Sequence, residues 1–266
     1  MASNNKDVKW NGWLDSWIEE FFPLLARDFP KARFVLIFRD PRAVIASSRR
    51  SFSKIESILE PLTLSYLRCY RKQVAFTQYF QGMKLFNNRL IVVRYEDIVE
   101  NPEPETRRLC DFLEVDFLPK MLDTSNFKGL GKNTDNWEPN LHWVDVPEEG
   151  IYKDSLYRWK NELPSDLINF IEFIVGLDAE YLGYKPTKSI KKYQHLDSAI
   201  YQLHKEEHLK CKGWRTDNKN PDIDLSLEIL RHECLSEKIN DHHLIRRCFL
   251  FPEIYEKLLQ NKRMFV

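Results

Sequence analysis

The sequence has few glycines, eight in 266 residues, and no run approaching the roughly 20 apolar side chains that a membrane-spanning helix needs. Its opening, Met1-Ala2-Ser3-Asn4-Asn5-Lys6-Asp7, lacks the apolar stretch of a secretory leader. A surplus of charge is missing too: 40 Lys and Arg face 40 Asp and Glu. That balance excludes attraction to nucleic acid or an anionic membrane at whole-chain level, so any anion must be held by a local cluster. Cysteine pairs are absent. Cys69, Cys110, Cys211, Cys234 and Cys248 are odd in number, widely spaced and without a C-x-x-C, which argues against a disulfide framework and for a reducing compartment. Together these absences predict a soluble, cytoplasmic protein with no membrane span and a length sufficient for one large domain or a domain with an appendage.

What is present is organised around residues 33–50. Arg33-Phe34-Val35-Leu36-Ile37-Phe38 is a continuous apolar run that stops at Arg39, and Asp40-Pro41 opens a segment with apolar positions at helical spacing. The pattern predicts a buried strand that turns into a helix. Asp40 suits the N-cap, its carboxylate accepting from a first-turn amide, and Pro41 suits the first helical position, where a missing N–H costs nothing. A helix N-terminus facing the carboxyl end of a parallel strand is where α/β sheets bind ligands, and its free amides favour an anion. Arg39 adds a forked donor suited to phosphate, and Ser47 adds a hydroxyl on the helix. On this stretch alone, a structural ion pair and a phosphate contact fit equally well.

The rest of the chain supplies context. Residues 10–29 carry Trp10, Trp13, Trp17 and further apolar side chains near helical spacing, predicting one amphipathic helix with its tryptophans in the core. A long helix follows over about 57–86. Arg89-Leu90-Ile91-Val92-Val93-Arg94-Tyr95 then repeats the strand pattern and leads through Asn101-Pro102 into a helix over 105–113. Two strand-helix units joined by a helix of crossover length argue for a parallel sheet, both strands buried on both faces. Residues 122–150 read as loop, 153–160 as a basic-aromatic cluster, and Pro164 opens a further helix to Leu177. Residues 187–266 are charged, hold all but one of the seven histidines and show only helical segments, near 190–210, 223–239 and 242–261.

Three of these stretches, taken in order, resemble the sulfotransferase family, whose members move a sulfuryl group from 3′-phosphoadenylyl sulfate (PAPS) to a hydroxyl or amine. They are Phe38-Arg39-Asp40-Pro41-Arg42 with Ser47; Val93-Arg94-Tyr95-Glu96-Asp97 with Glu100-Asn101-Pro102 and Leu109-Cys110-Asp111-Phe112-Leu113; and Ser155-Leu156-Tyr157-Arg158-Trp159-Lys160. The resemblance implies an α/β fold, a P-loop-NTPase-like parallel sheet flanked by helices, over residues 1–186, with residues 187–266 as a C-terminal helical extension. It implies PAPS as co-substrate and no metal. Carried over residue by residue, Arg39 and Ser47 would hold the 3′-phosphate, Tyr95 would line the adenosine end, and Arg158 would be a further phosphate contact. Tyr157 stands where relatives usually have glycine, which bears on how closely that loop approaches the nucleotide.

One part of the family pattern is missing from the sequence. Relatives cradle the donor's phosphosulfate in an early Gly-rich loop with a lysine or arginine, whereas the 38 residues before Arg39 hold one glycine, Gly12, after no strand-like run, and no histidine to serve as general base. The expectation is a sheet incomplete at its N-terminal side, with a catalytic base unassigned and a partner chain as one source of the missing segment. Transfer builds charge on the leaving phosphate oxygen, and losing one preorganised donor there typically costs about 3 kcal/mol. The alternative to an enzyme is therefore a non-catalytic nucleotide-binding or protein-interaction module. Two other motifs compete weakly. Gly129-Leu130-Gly131-Lys132 lacks phosphate-loop spacing, and His204-Lys205-Glu206-Glu207-His208 matches the H-x-x-E-H zinc pattern, with Cys211 or His232-Glu233-Cys234 as further ligands.

Overall fold

A computed structural model describes residues 9–15, 18–52, 63–123, 151, 153–187 and 221–264. The two apolar runs form strands β1 (Phe34–Phe38) and β2 (Leu90–Arg94), paired in parallel with Phe34 beside Leu90 and Phe38 beside Arg94. Between them lie α2 (Pro41–Phe52) and α3 (Thr63–Gln81), which provide the crossover that a parallel pair requires. Helix α1 (Phe22–Asp28) precedes β1, and α4 (Tyr95–Glu100) and α5 (Pro102–Leu113) follow β2. The α/β class and the parallel pairing read from the sequence are thus present, with two strands among the described residues.

The expectation of strands buried on both faces is corrected. Phe34, Leu36 and Phe38 are buried, but Ile37 is 59% exposed. One face of the sheet packs on aromatic side chains: Phe22 lies 4.5 Å from Phe34, Phe86 5.5 Å from it, and Tyr70 5.8 Å from Phe38. On the opposite face Val93 is fully buried, since α4 folds directly back from the end of β2, whereas Ile37 lacks such a cover among the described residues.

The predicted helix over 10–29 is also shorter than expected. Residues 10–15 are irregular, a 3₁₀ turn spans Ile18–Phe21, and the α-helix starts only at Phe22, with Pro23 in its first turn. Proline has no amide to give and is tolerated only there. The tryptophans follow. Trp13 is 76% exposed, and Trp10 donates its indole N–H to the Leu113 carbonyl at 2.7 Å, satisfying an orphan acceptor at the end of α5.

After a single turn, α6 (Trp159–Glu162), comes the central helix α7 (Ser165–Tyr181). Leu167, Phe170, Ile171, Ile174 and Val175 are buried around its circumference, as befits a helix enclosed by others. Its C-terminus closes with Gly183 at φ 86°, the Gly183 amide donating to Glu180 O at 2.8 Å and the Tyr184 amide to Ala179 O at 3.1 Å. This paired closure needs a residue tolerant of positive φ.

Residues 221–264 contribute α8 (Pro221–Leu235), α9 (His242–Cys248) and α10 (Pro252–Met264). The single helix expected over 242–261 is broken by Phe249, Leu250 and Phe251, because Pro252 restarts the helix and leaves its own amide position without a bond. Asp241 caps α9, its carboxylate accepting from His243 N at 2.7 Å. These helices lie against the back of α3 and α7: Leu235, Ile254 and Leu258 bury with Ala75 and Leu177, and Phe251 stacks on Tyr79 at 4.1 Å.

Candidate functional site

The parallel register brings the first two motifs together. Phe38 pairs with Arg94, so the next residues along, Arg39 and Tyr95, leave the strand ends side by side. The Arg39 guanidinium lies over the Tyr95 ring, 4.7 Å from its centroid, and its Nη2 donates to Ser155 O at 3.0 Å. The third motif thereby closes over the first. Arg39 Nε is enclosed and has no acceptor among the described residues. A buried cationic N–H without an acceptor is costly, on the order of 1–3 kcal/mol or more. An anionic oxygen is the group that fits there.

One residue further on, the pairing continues through charge. The Asp40 amide donates to Glu96 Oε1 at 2.9 Å, and Tyr184 O–H donates to Glu96 Oε2 at 2.7 Å. Glu96 is buried, and two donors hold its carboxylate where solvent cannot. Burial first, then the charge of Glu96, pushes the Tyr184 phenol far above its ordinary range, so it stays a donor. The closure at Gly183 aims Tyr184 inward, and the Arg94 guanidinium sits over the Tyr184 ring at 4.6 Å.

Asp40 caps α2 as the sequence predicts, accepting from the Arg42 amide at 2.9 Å. The same bond corrects the expectation of free amides for an anion, since the cap is occupied by the chain's own carboxylate. Arg42 then closes a buried cluster. Its Nη2 meets Asp40 Oδ2 at 2.7 Å, its Nη1 meets Glu172 Oε1 of α7 at 2.7 Å and Lys185 O at 3.0 Å, and its face lies 4.1 Å from the Trp159 ring centroid. The side chains of Arg42, Asp40 and Glu172 are 7%, 8% and 3% exposed. Burial works against the Arg42 charge, but Asp40 and Glu172 outweigh it and raise its pKa. The cluster is a frame for the site, with every fork of Arg42 engaged.

Of the four predicted residues, Arg39 and Tyr95 touch, and Arg158 belongs to the loop whose Ser155 carbonyl holds Arg39. Arg158 ends that loop at the start of α6, 3.6 Å from Glu162. Ser47 lies half-buried on α2, six residues beyond Pro41 and so roughly 9 Å along the helix. No hydrogen bond joins it to the other three among the described residues. Tyr157, the departure from the glycine pattern, donates its O–H to Glu100 of α4 and so latches the 153–158 loop in place. That bond first, then burial, pushes its phenol up to about 12.

Sequence reasoning passed over Glu96, Glu172 and Tyr184. Glu96 stands inside the quoted Tyr-Glu-Asp motif, so its place beside Asp40 follows once register is known. Glu172 and Tyr184 carry no local signal. The Gly129–Lys132 loop, His204–His208 and Cys211 fall outside the described residues. His232 stacks on Phe173 at 4.4 Å, and among the described residues no three His, Cys, Asp or Glu side chains gather as metal ligands.

Comparison with known proteins shows likeness to sulfotransferases over part of the chain. Residues 17–119 match the family model described as sulfotransferase family. Protein-tyrosine sulfotransferase A of Caenorhabditis elegans is 24% identical over 188 residues, covering 70% of this chain and 48% of that one. Over these residues the chain is similar to sulfotransferases. Protein-tyrosine sulfotransferase 2 of Gallus gallus is 26% identical over 207 residues, covering 74% and 51%, and carbohydrate sulfotransferase 4 of Mus musculus is 24% identical over 194 residues, covering 65% and 47%. The chain thus spans about half the length of these curated proteins. Its family match includes Arg39, Ser47 and Tyr95 and ends before Arg158. A solved sulfotransferase domain from the curacin biosynthetic pathway aligns with a TM-score of 0.42 at 20% identity, covering 61% of this chain and 59% of that one, a likeness too loose to bear on fold or function.

Proposed function

We propose that the strand-end site binds the 3′-phosphate and adenosine of PAPS, and that the chain takes part in sulfuryl transfer to a hydroxyl or amine acceptor. The observation that carries this reading is Arg39, whose guanidinium is braced by the Tyr95 ring and Ser155 O while its enclosed Nε lacks an acceptor. A phosphate oxygen supplies that acceptor, and a bidentate grip by arginine suits it. Tyr95 offers an aromatic face beside it, Arg158 a second cation from the covering loop, and Ser47 a hydroxyl from α2. The frame of Asp40, Arg42, Glu96 and Glu172 holds these groups still, which limits the ordering cost of binding.

When bound, PAPS supplies the activated sulfuryl group. This chain's residues grip and orient the end remote from the transferred group. Because two of the relatives above are named protein-tyrosine sulfotransferases, the phenol of a tyrosine in a peptide is the first acceptor to try.

Calorimetry with 3′-phosphoadenosine 5′-phosphate tests the site: wild-type protein binds and Arg39→Ala does not. Transfer of radiolabelled sulfate from PAPS to a tyrosine peptide then separates the enzyme from a non-catalytic nucleotide-binding module, which binds without transfer. Absence of nucleotide binding in the wild type overturns both.

A further inference from the structure

A second cationic site lies where the C-terminal helices meet α3 and α7. A cleft of about 510 Å³ opens there, within the size range of small-molecule sites. Its walls carry six basic side chains, Arg68, Arg71 and Lys72 of α3, Arg231 of α8, and Arg246 and Arg247 of α9. Phe249, Leu250 and Ile254 supply an apolar side.

Four of the six cations are accounted for by carboxylates. Arg71 Nη2 meets Glu228 Oε1 at 2.7 Å in a forked pair, and Arg68 reaches the same carboxylate at 3.3 Å. Arg231 Nη2 meets Asp178 Oδ2 at 2.9 Å and lies over the Phe249 ring at 5.0 Å. Lys72 pairs with Glu20, and Glu19 is 3.7 Å away. Arg246 and Arg247 are exposed and make no ion pair among the described residues. Six cations against Glu228, Asp178, Glu19 and Glu20 leave a local surplus of two in a chain whose net charge is zero. That surplus faces an apolar wall formed by Phe249, Leu250 and Ile254.

We propose that this cleft binds an organic anion, a phosphate or sulfate monoester carried on an apolar or aromatic body. The ester's oxygens meet the forks of Arg246 and Arg247, with Arg68 behind them, and the body packs against Phe249, Leu250 and Ile254. Two planar forks recognise such an ester better than point charges do, and the neighbouring ion pairs hold the deeper arginines in place without the ligand. The groups involved lie on α3, α7, α8, α9, α10 and the segment joining α9 to α10, and none is a residue of the nucleotide reading.

Calorimetric titration of the full chain with phenyl phosphate, phenyl sulfate and inorganic phosphate tests this. Phenyl phosphate saturates wild type and Arg39→Ala with equal affinity, and an Arg246→Ser/Arg247→Ser variant weakens it by at least about tenfold. Inorganic phosphate, lacking the body, binds at least several-fold more weakly, and phenyl sulfate, with one charge fewer, falls between them or matches phenyl phosphate according to which ester the cleft favours. Leu250→Asp, on the exposed wall, gives an independent loss through repulsion. Circular dichroism and melting of the double variant remain those of wild type, because both arginines are exposed. Failure of wild type to saturate, undiminished affinity in the folded double variant, or phenyl phosphate binding no tighter than inorganic phosphate overturns the proposal.

Discussion

Buried arginines meet carboxylates at two places in this chain, and the two clusters are balanced differently. At the strand ends, Arg42 is clamped between Asp40 and Glu172, Glu96 is satisfied by the Asp40 amide and Tyr184, and the Nε groups of Arg39 and Arg94 are enclosed without an acceptor among the described residues. At the back, Arg71, Arg68 and Arg231 share two acids, Glu228 and Asp178, and two further arginines stand beside them. The first cluster is a closed frame beside open donors on Arg39 and Arg94. The second holds the C-terminal helices to α3 and α7 and carries excess positive charge outward. Burial of charge alone therefore does not mark a site; cationic donors left open beside a matched frame are what an anion can use.

The sharpest test of that distinction compares two arginines from one strand-helix junction. Arg42→Ala leaves Asp40 and Glu172 buried without their partner and is expected to cost about 3–5 kcal/mol in urea unfolding. Arg39→Ala removes one bond to a backbone carbonyl and a ring contact, and is expected to cost no more than about 1 kcal/mol while abolishing nucleotide binding. Equal losses of stability would show that Arg39 is part of the frame.

At the back of the molecule, Glu228→Gln keeps the shape and removes the charge, and is expected to cost about 2–3 kcal/mol. Burial alone would raise the Glu228 carboxyl, but Arg71, with Arg231 and Arg68, outweighs it and holds the pKa below its usual value. A depressed carboxyl contributes stability above its unfolded pKa, about 4.3, that is lost as pH falls through the lower folded value. Acid titration followed by near-UV circular dichroism should show that limb in the wild type and lack it in Glu228→Gln.

Smaller effects are expected where the frame meets the loops. Gly183→Ala forces a side chain into positive φ, with its Cβ 3.2 Å from Arg94 Nη1, and is expected to cost about 1–2 kcal/mol in melting experiments by shifting Tyr184 off Glu96. Tyr157→Phe removes only the partly exposed bond to Glu100. Its cost should stay below about 1 kcal/mol, with faster amide exchange confined to residues 153–158. If that exchange is unchanged, the latch does not order the loop.

Much of the site's first layer was legible in the sequence because its signals are local. An apolar run ending at Arg39-Asp40-Pro41 states a strand, a cap and a helix start within a few residues, and the cap bond from Arg42 N to Asp40 is present. A second run ending at Arg94-Tyr95 states the parallel partner. The misjudged elements fail for local reasons of their own. Apolar spacing from Trp10 to Leu25 looks helical, yet Pro23 places the helix start later, Trp10 serves a distant carbonyl and Trp13 faces solvent. Pro252 likewise splits what periodicity joined.

The sequence by itself determined the two strands, the turn into α2, the Asp40 cap and the ordered motifs that resemble those of sulfotransferases, because backbone propensity and short-range bonding act between neighbours. Tertiary structure alone decided which charges are matched. Arg42 finds Glu172 across 130 positions and Glu96 finds Tyr184 across 88, pairings that depend on how α7 and its closure at Gly183 pack against the strand ends. No residue pattern states such distances, since a buried ion pair is selected by geometry and desolvation after the helices have docked. For the same reason the unmatched Nε of Arg39 emerges only in the folded chain.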